Sequence, residues 1–512
     1  MSRAAFFNPI GCNSRSPSAK RFDADTFSQS VVLLGCLVLL QRGIGFLRSF
    51  YVCSSLSPVE LGQWDLAFNF LTIVAPLAVF GIPGSFGRYV PQYELNGQQR
   101  RFLRHTLLAC LCLTMSGSLL IYLFRTSFAR YFFGGRDHAP LVTVLAVGLP
   151  LVIFFNYATS WFTGKRLSRF VFRIQFLQTL FFFGFSVLAL QLFLPSAKVV
   201  IISYFLSCFA AIALAGRYAL LETGVEPAHT MPAADCSIWV KILPFAFWVW
   251  VSNALINLFA VCDRVLLVNF YADKEVPIEF VVGQYHTACI FPALLMTLGA
   301  TVGSMMTPYL SKDWESGCRD SVTARINLML KAIGLLCLAA SVAILFAAPL
   351  LFSKIWNDKF AMGESLLPMT LCYCSCAAMS LIAQKYFWCI EKTWFSTSAL
   401  LAGLTCNFLL GLTLIGPFGI KGVVASTLAS HALVLVSVLL LCQRFGLKLD
   451  FGVFAIGTAL SAICFGKWIA CFCLAILVLA TVYTEVCFSD SWKRAMKLKL
   501  RSLRPARLGG LS

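Results

Sequence analysis

Apolar residues run through this chain in stretches about 20 long, and the polar residues gather in short segments between them. A helix rises 1.5 Å per residue, so about 20 apolar residues cross the ~30 Å hydrocarbon layer of a bilayer. Fourteen such stretches are predicted: 27–47, 66–87, 103–124, 141–162, 174–194, 199–220 and 242–263, then 280–303, 328–351, 366–388, 394–415, 420–442, 451–466 and 468–487. Backbone N–H and C=O groups surrounded by lipid must pair within their own segment, and helices satisfy that demand. The expected fold is an all-α polytopic membrane protein.

Composition removes the soluble alternatives. Hydrophobic residues make up 59% of the 512 and charged residues 12%, about half the charged share of a soluble domain, and the mean hydropathy is +0.81. The balance of 41 Lys and Arg against 22 Asp and Glu leaves +19. With the N-terminus placed inside, 29 of the basic residues fall on the cytoplasmic side and 12 outside, the asymmetry that short loops show. It also decides 451–487. A single tilted helix there would put the seven basic residues of the C-terminal tail outside and leave Lys467 in lipid, so two helices broken at Gly466-Lys467 are expected. Both termini are then cytoplasmic, and the first span is read as a retained helix rather than a cleaved signal. The two tails carry +11 with no acid among their basic residues, so adhesion to anionic lipid accounts for most of the excess and nucleic acid is unnecessary.

The polar stretch 222–237, with Pro227 and Pro232, divides twelve spans six and six. The expected organisation is a basic N-terminal tail (1–26), an N-lobe (27–221), a cytoplasmic linker (222–241), a C-lobe (242–442), two extra helices (443–487) and a basic C-terminal tail (488–512). The halves show a repeat. Pro76 and Pro91 match Pro292 and Pro308 at offsets of 216 and 217, and the offset of 216 carries Phe27 onto Leu243 and Arg48 onto Arg264. Six spans separate the copies, so both lobes have one orientation, related by an axis along the membrane normal. That is a plan of alternating-access transporters, with the path between the lobes. Pro76 and Pro83 in the second span, and Pro292 and Gly299 in the eighth, are expected to bend two matched helices.

Few charges lie within spans, and those that do should face protein, water or substrate. Arg42 is about 22 Å along the first span. Arg48 and Arg264 end the first and seventh spans, and Arg88 ends the second. Guanidinium groups bind phosphate oxygens in pairs of hydrogen bonds, so Arg42, Arg48, Arg264 and Arg88 are candidates for an anionic headgroup; snorkelling to the interface is the bland alternative for those at helix ends. Asp263 either neutralises Arg264 or serves in proton or ion coupling; His286 and Gln284, early in the eighth span, are weaker candidates for that role, with a structural role as the alternative for both. The 21 cysteines show no C-x-x-C pattern, and pairs such as Cys110 and Cys112 lie within apolar helices without a histidine nearby, so they are read as small packing residues. No P-loop, G-x-S-x-G or H-E-x-x-H is present. No metal, cofactor or enzymatic activity is therefore expected.

The stretch Leu56-Ser57-Pro58-Val59-Glu60-Leu61-Gly62, then Gly81-Ile82-Pro83 and Arg88-Tyr89-Val90-Pro91-Gln92-Tyr93-Glu94, resembles the first helical hairpin of O-antigen-type polysaccharide flippases. These belong to the multidrug/oligosaccharidyl-lipid/polysaccharide (MOP) exporter superfamily. Asp263-Arg264, Pro308-Tyr309-Leu310-Ser311 and Gly416-Pro417-Phe418-Gly419-Ile420-Lys421-Gly422-Val423 agree, and the resemblance covers about 27–442. It implies a V-shaped pair of six-helix bundles that moves an undecaprenyl-pyrophosphate-linked oligosaccharide across the bacterial inner membrane. The implied partners are that lipid-linked substrate, membrane lipids, and polysaccharide polymerase and glycosyltransferases. Two departures keep alternatives open. The extra helical pair, and Arg42-Gly43-Ile44-Gly45-Phe46-Leu47-Arg48, are similar to lipid II flippases. A multidrug or cation antiporter of the same superfamily would need a deep carboxylate, and Asp65 and Asp263 are read as lying at helix ends. A membrane-embedded polysaccharide polymerase or ligase is disfavoured by short outer loops.

Overall fold

The computed structural model describes residues 27–95, 97–222, 236–271 and 275–483, and the regular structure among them is helical. The first half holds α1 (Phe27–Ser55), α2 (Pro58–Ala78), α3 (Phe86–Leu95), α4 (Gln99–Leu123), α5 (Arg125–Phe133), α6 (Ala139–Gly164), α7 (Ser168–Leu192) and α8 (Ala197–Glu222). The second holds α9 (Cys236–Phe270), α10 (Ile278–Glu315), α11 (Arg319–Pro349), α12 (Ala361–Ala383), α13 (Lys385–Cys389) and α14 (Thr393–Arg444), followed by α15 (Phe451–Ala459) and α16 (Lys467–Tyr483).

Each expected span falls on one of these helices or on a broken pair, the last as far as Tyr483, with 484–487 outside the described residues. Among the described residues nine helices are long and apolar enough to cross a membrane, and Pro58–Ala78 with Pro83–Glu94 forms a further, bent one. Helix α14 carries two expected spans: its 52 residues would extend ~78 Å as one rod, far more than a bilayer. The chain turns at Gly419, whose φ of 55° and ψ of −133° exclude a side chain. A second turn at Gly466, φ 105°, separates α15 and its 3-10 extension from α16 where the charge argument requires a break. Leucines 123, 188, 192 and 440 are exposed on the helix surfaces, as a hydrocarbon solvent allows. Both tails and the interlobe linker segment 223–235 lie outside the described residues.

Packing follows the repeat. In the first half α7 lies against α1 and α8, and α6 against α4, α8 and α2; in the second, α14 lies against α9 and α12, and α12 against α10 and α11. The halves meet where α2 packs on α10 and α9. Helices α15 and α16 lie against α11, and the 3-10 segment between them against α12. The buried Lys331 donates to Asp450 at 2.6 Å, while Asn327 donates to the Lys448 carbonyl at 2.7 Å and accepts from the Asp450 amide at 2.9 Å.

Two sequence expectations are corrected. The first is the register of the repeat. Helices α1 and α9 end at Ser55 and Phe270, 215 apart, but α2 and α10 begin at Pro58 and Ile278, and α4 and α11 at Gln99 and Arg319, each 220 apart. The loop after α9 is longer, so Pro292 sits four residues nearer its helix start than Pro76 does, about 6 Å. They are not counterparts.

The second is the bend. Helix α2 stays regular through Pro76 and ends at Ala78; the chain then turns through Phe80 (φ 46°) and Gly81 (φ 69°) into a 3-10 turn at Pro83–Ser85, for a change of direction of 69°. A β-carbon on Gly81 would lie 2.3 Å from the Ala246 carbonyl of α9. Trp250 of α9 stacks on Phe80 and its indole N–H donates to the Leu77 carbonyl at 3.1 Å. Helix α10, in contrast, is unbroken from Ile278 to Glu315 through Pro292 and Gly299. Gly299 serves contact: its β-carbon would lie 2.6 Å from the Ala378 Cα of α12.

Candidate functional site

The site is built by a close approach of α2 and α10. A β-carbon on Gly62 would lie 1.8 Å from the Glu279 carbonyl oxygen, and one on Gly283 would lie 2.0 Å from that of Pro58. Small residues are what let membrane helices come this near. Three residues past each glycine, one helical turn on, stand Asp65 and His286 on the facing sides. His286 Nδ1 and Asp65 Oδ1 are 2.6 Å apart. The start of α2 is fixed by Pro58 in its first turn and by Ser57, whose hydroxyl accepts the Glu60 amide at 3.2 Å.

Arg264 enters from α9. Its Nε donates to Asp65 Oδ2 at 3.1 Å and its Nη1 to Asp263 Oδ2 at 2.8 Å, so one guanidinium bridges carboxylates from both halves. Its charge lies 4.5 Å from the Tyr285 ring centroid. The Tyr285 hydroxyl donates to Asp263 and lies 3.2 Å from the Tyr373 hydroxyl, which is 3.4 Å from Cys289 Sγ. The four charged groups are neutral in sum with the His286 imidazole protonated and carry one negative charge without it. Removing one member of such a buried set leaves an uncompensated charge, the costly event in a low-dielectric interior.

This network forms one wall of a cavity of about 440 Å³. Arg42 and Arg48 of α1 form another, with Gln41 and Ser49 beside them. Arg42 is exposed to the cavity; the Arg48 guanidinium lies 4.1 Å over the Phe182 ring and donates to Ser49 Oγ at 3.5 Å. Neither forms an ion pair among the described residues.

Of the sequence candidates, Arg42, Arg48, Arg264 and His286 therefore share one cavity, and Asp263 stands behind it as the second partner of Arg264. Arg88 does not join them: on α3 it lies 5.0 Å from the Phe245 ring centroid, away from the cavity lining. Gln284 is structural, donating to the Lys359 carbonyl at 2.9 Å and accepting from the Gly363 amide at 3.2 Å. Sequence reasoning misplaced both Asp65 and Asp263 at helix ends. Both are buried inside their helices, Asp65 in α2 bordering the cavity and Asp263 in α9, so the absence of a deep carboxylate is no argument against an antiporter; their pairing with Arg264, and that of Asp65 with His286, is. The available signal for Asp65 was its spacing of three from Gly62. No group of three or more His, Cys, Asp or Glu among the described residues is arranged to hold a metal ion.

The sequence profile of the polysaccharide biosynthesis protein family matches residues 27–314. No curated protein sequence matches the chain. Among solved structures, the lipid II flippase MurJ in an inward closed conformation is similar, with a TM-score of 0.68, 14% identity, and 88% of this chain and 99% of that one covered. A multidrug resistance MATE family transporter of the MOP superfamily is similar in its inward-facing conformation (TM-score 0.61, 14% identity, 82% and 95% covered). An outward-facing conformation of a MATE family transporter is similar too (0.59, 14%, 84% and 96%). At this identity the likeness is one of fold.

Proposed function

Because the chain belongs to the polysaccharide biosynthesis protein family, we propose that it is a membrane flippase moving an undecaprenyl-pyrophosphate-linked oligosaccharide across the bacterial inner membrane by alternating access, with both termini cytoplasmic. One observation carries the reading: Arg42 and Arg48 face a cavity between the two halves with no carboxylate partner among the described residues. Unpaired guanidinium groups at membrane depth are costly unless an anion joins them, and a pyrophosphate matches their geometry. Arg264, already held by two carboxylates, is withdrawn from the headgroup set and becomes part of the closure.

In this orientation α2 and α10 begin on the outer side, so the contacts of Gly62 and Gly283 and the bridges of Asp65 to Arg264 and His286 close the cavity outward. A headgroup entering from the inner side settles on Arg42 and Arg48, and its polyprenyl chain stays in lipid. Outward opening then requires α2 to leave α10 and α9 and Asp65 to release both partners. The closed contacts join α2 to the second half, so they break together.

The test is complementation of surface polysaccharide in a flippase-deficient strain, with membrane abundance measured in parallel. Arg42→Ala with Arg48→Ala is expected to abolish complementation at normal abundance; full activity of that double variant sinks the assignment. A lipid II flippase is the second reading, favoured by the extent of the fold likeness to the structure of that activity. Proteoliposomes carrying labelled lipid II or labelled undecaprenyl-pyrophosphate oligosaccharide separate the two, and accumulation of a cationic drug instead would mark an antiporter.

A further inference from the structure

We infer that a second hollow, next to the arginine cavity, is a subsite for the neutral saccharide of the substrate, built on the amides of Asn156, Asn253 and Asn257; this rests on the flippase reading above. The hollow consists of two adjoining cavities of about 190 and 240 Å³ that share Ala75, Pro76 and Asn156, together within the size range of ligand pockets. It meets the arginine cavity at Phe68, which lines both. Along α9, Asn253, Asn257 and Arg264 fall on one helical stripe. Asn257 and Asn253 stand about 10 and 16 Å from the level of Arg264 toward the start of the helix. Asn156 of α6 faces them, and Thr72, Tyr204 and Ser160 add hydroxyls.

Three features single out these amides. Asn69, Asn269 and Asn327 donate to backbone carbonyls, and the Asn407 oxygen accepts from Ser426 and Thr427. The side chains of Asn156, Asn253 and Asn257 make no hydrogen bond to another described residue, and all three border the same hollow. Asn156 and Asn253 are exposed and Asn257 is half-buried, so their amides stand open to a ligand or water that enters the hollow. Second, no charged side chain lines either cavity, which excludes the pyrophosphate and leaves uncharged groups as occupants. Third, an amide offers both donors and an acceptor, the complement of a hydroxyl or acetamido group, and the rings of Phe68 and Tyr204, with centroids 5.8 Å apart, give an apolar face at the mouth. The two cavities thus divide a headgroup by chemistry: phosphates on Arg42 and Arg48, sugar on the asparagines.

The full-length protein in detergent is titrated with two probes, undecaprenyl pyrophosphate and undecaprenyl pyrophosphate bearing one N-acetylhexosamine. The wild type is expected to bind the sugar-bearing probe more tightly. Each of N156A, N253A and N257A is expected to reduce that sugar-dependent gain about fivefold while binding of the bare probe stays as in the wild type. R42A is expected to weaken both probes alike. Melting temperatures and the variants N253Q and N257Q verify folding, since glutamine keeps the amide chemistry and should retain part of the gain. Equal affinity of the wild type for both probes, or asparagine variants with undiminished gain, overturns the subsite and leaves the flippase reading intact. Failure of the wild type to bind either probe overturns that reading and the subsite with it.

Discussion

Arg264 meets its two counter-charges from opposite halves of the molecule, so a substitution there acts on both folding and closure. Arg264→Ala leaves Asp263 buried without its arginine and Asp65 with His286 alone, and is expected to destabilise the protein by about 3–5 kcal/mol. The effect is read as a lowered melting temperature in detergent. Asp65→Asn, which retains the shape and a hydrogen-bonding oxygen, is expected to lower it less. The double variant should be more stable than the sum of the two single losses, because each alone orphans its partner. Strict additivity would show that the bridge is energetically idle. The arginines themselves were legible in the sequence, since a guanidinium inside an apolar run has few acceptable fates. Asp65 was not, because its depth depends on where α2 begins, and that start is set by Pro58 and the Ser57 cap upstream of the apolar stretch.

Helix α2 is held to its partner by backbone approach, which makes its interface intolerant of the smallest side chain. Gly62→Ala places a methyl group on the Glu279 carbonyl, and Gly283→Ala does the same at Pro58. Each is expected to push the paired helix starts apart and abolish transport while the protein still reaches the membrane. Spin labels at Ser57→Cys and Val276→Cys, on a background lacking the exposed Cys112 and Cys318, should report a longer distance. An unchanged distance with full transport would contradict the closure. Gly419→Ala forces a β-carbon into a conformation reserved for glycine and is expected to cost roughly 1–2 kcal/mol, seen as a lower melting temperature. The fourteen spans could be found from hydrophobic length alone, because the bilayer imposes that length. A bend near Pro83 was legible in the second span, but its angle and its absence from α10 were not: proline marks where a helix is able to break, while Gly81 against Ala246 and Trp250 against Leu77 are tertiary contacts that no local pattern encodes. The repeat was legible in outline and slipped in register for a similar reason, as a longer loop after α9 shifts every later pair.

Across the whole molecule the last two helices are an attachment to the second half rather than a separate body. Lys331, buried in α11, finds its carboxylate on Asp450, and Asn327 is met by the same loop. Truncation before Lys448 strips both of these partners and is expected to reduce stability and membrane abundance. Truncation after Gly466 retains them and is expected to spare most of both. Immunoblots and melting curves of the two truncated proteins distinguish the cases, and equal losses would place the contribution in α16 instead.

The unlike middles of α2 and α10 have a mechanical consequence. One half of the molecule carries an elbow and the other a beam: α2 folds by 69° into the segment that follows, whereas α10 is continuous over 38 residues. A beam transmits displacement from one end to the other without loss, and an elbow absorbs it by changing its own angle. During turnover, fluorescent labels at Val281 and Met306 should therefore keep a constant separation, and labels at Leu61 and Tyr93 should not. For the flippase proposed above, the expected stroke is one-sided, with the second half acting as the lever and the first supplying the joint.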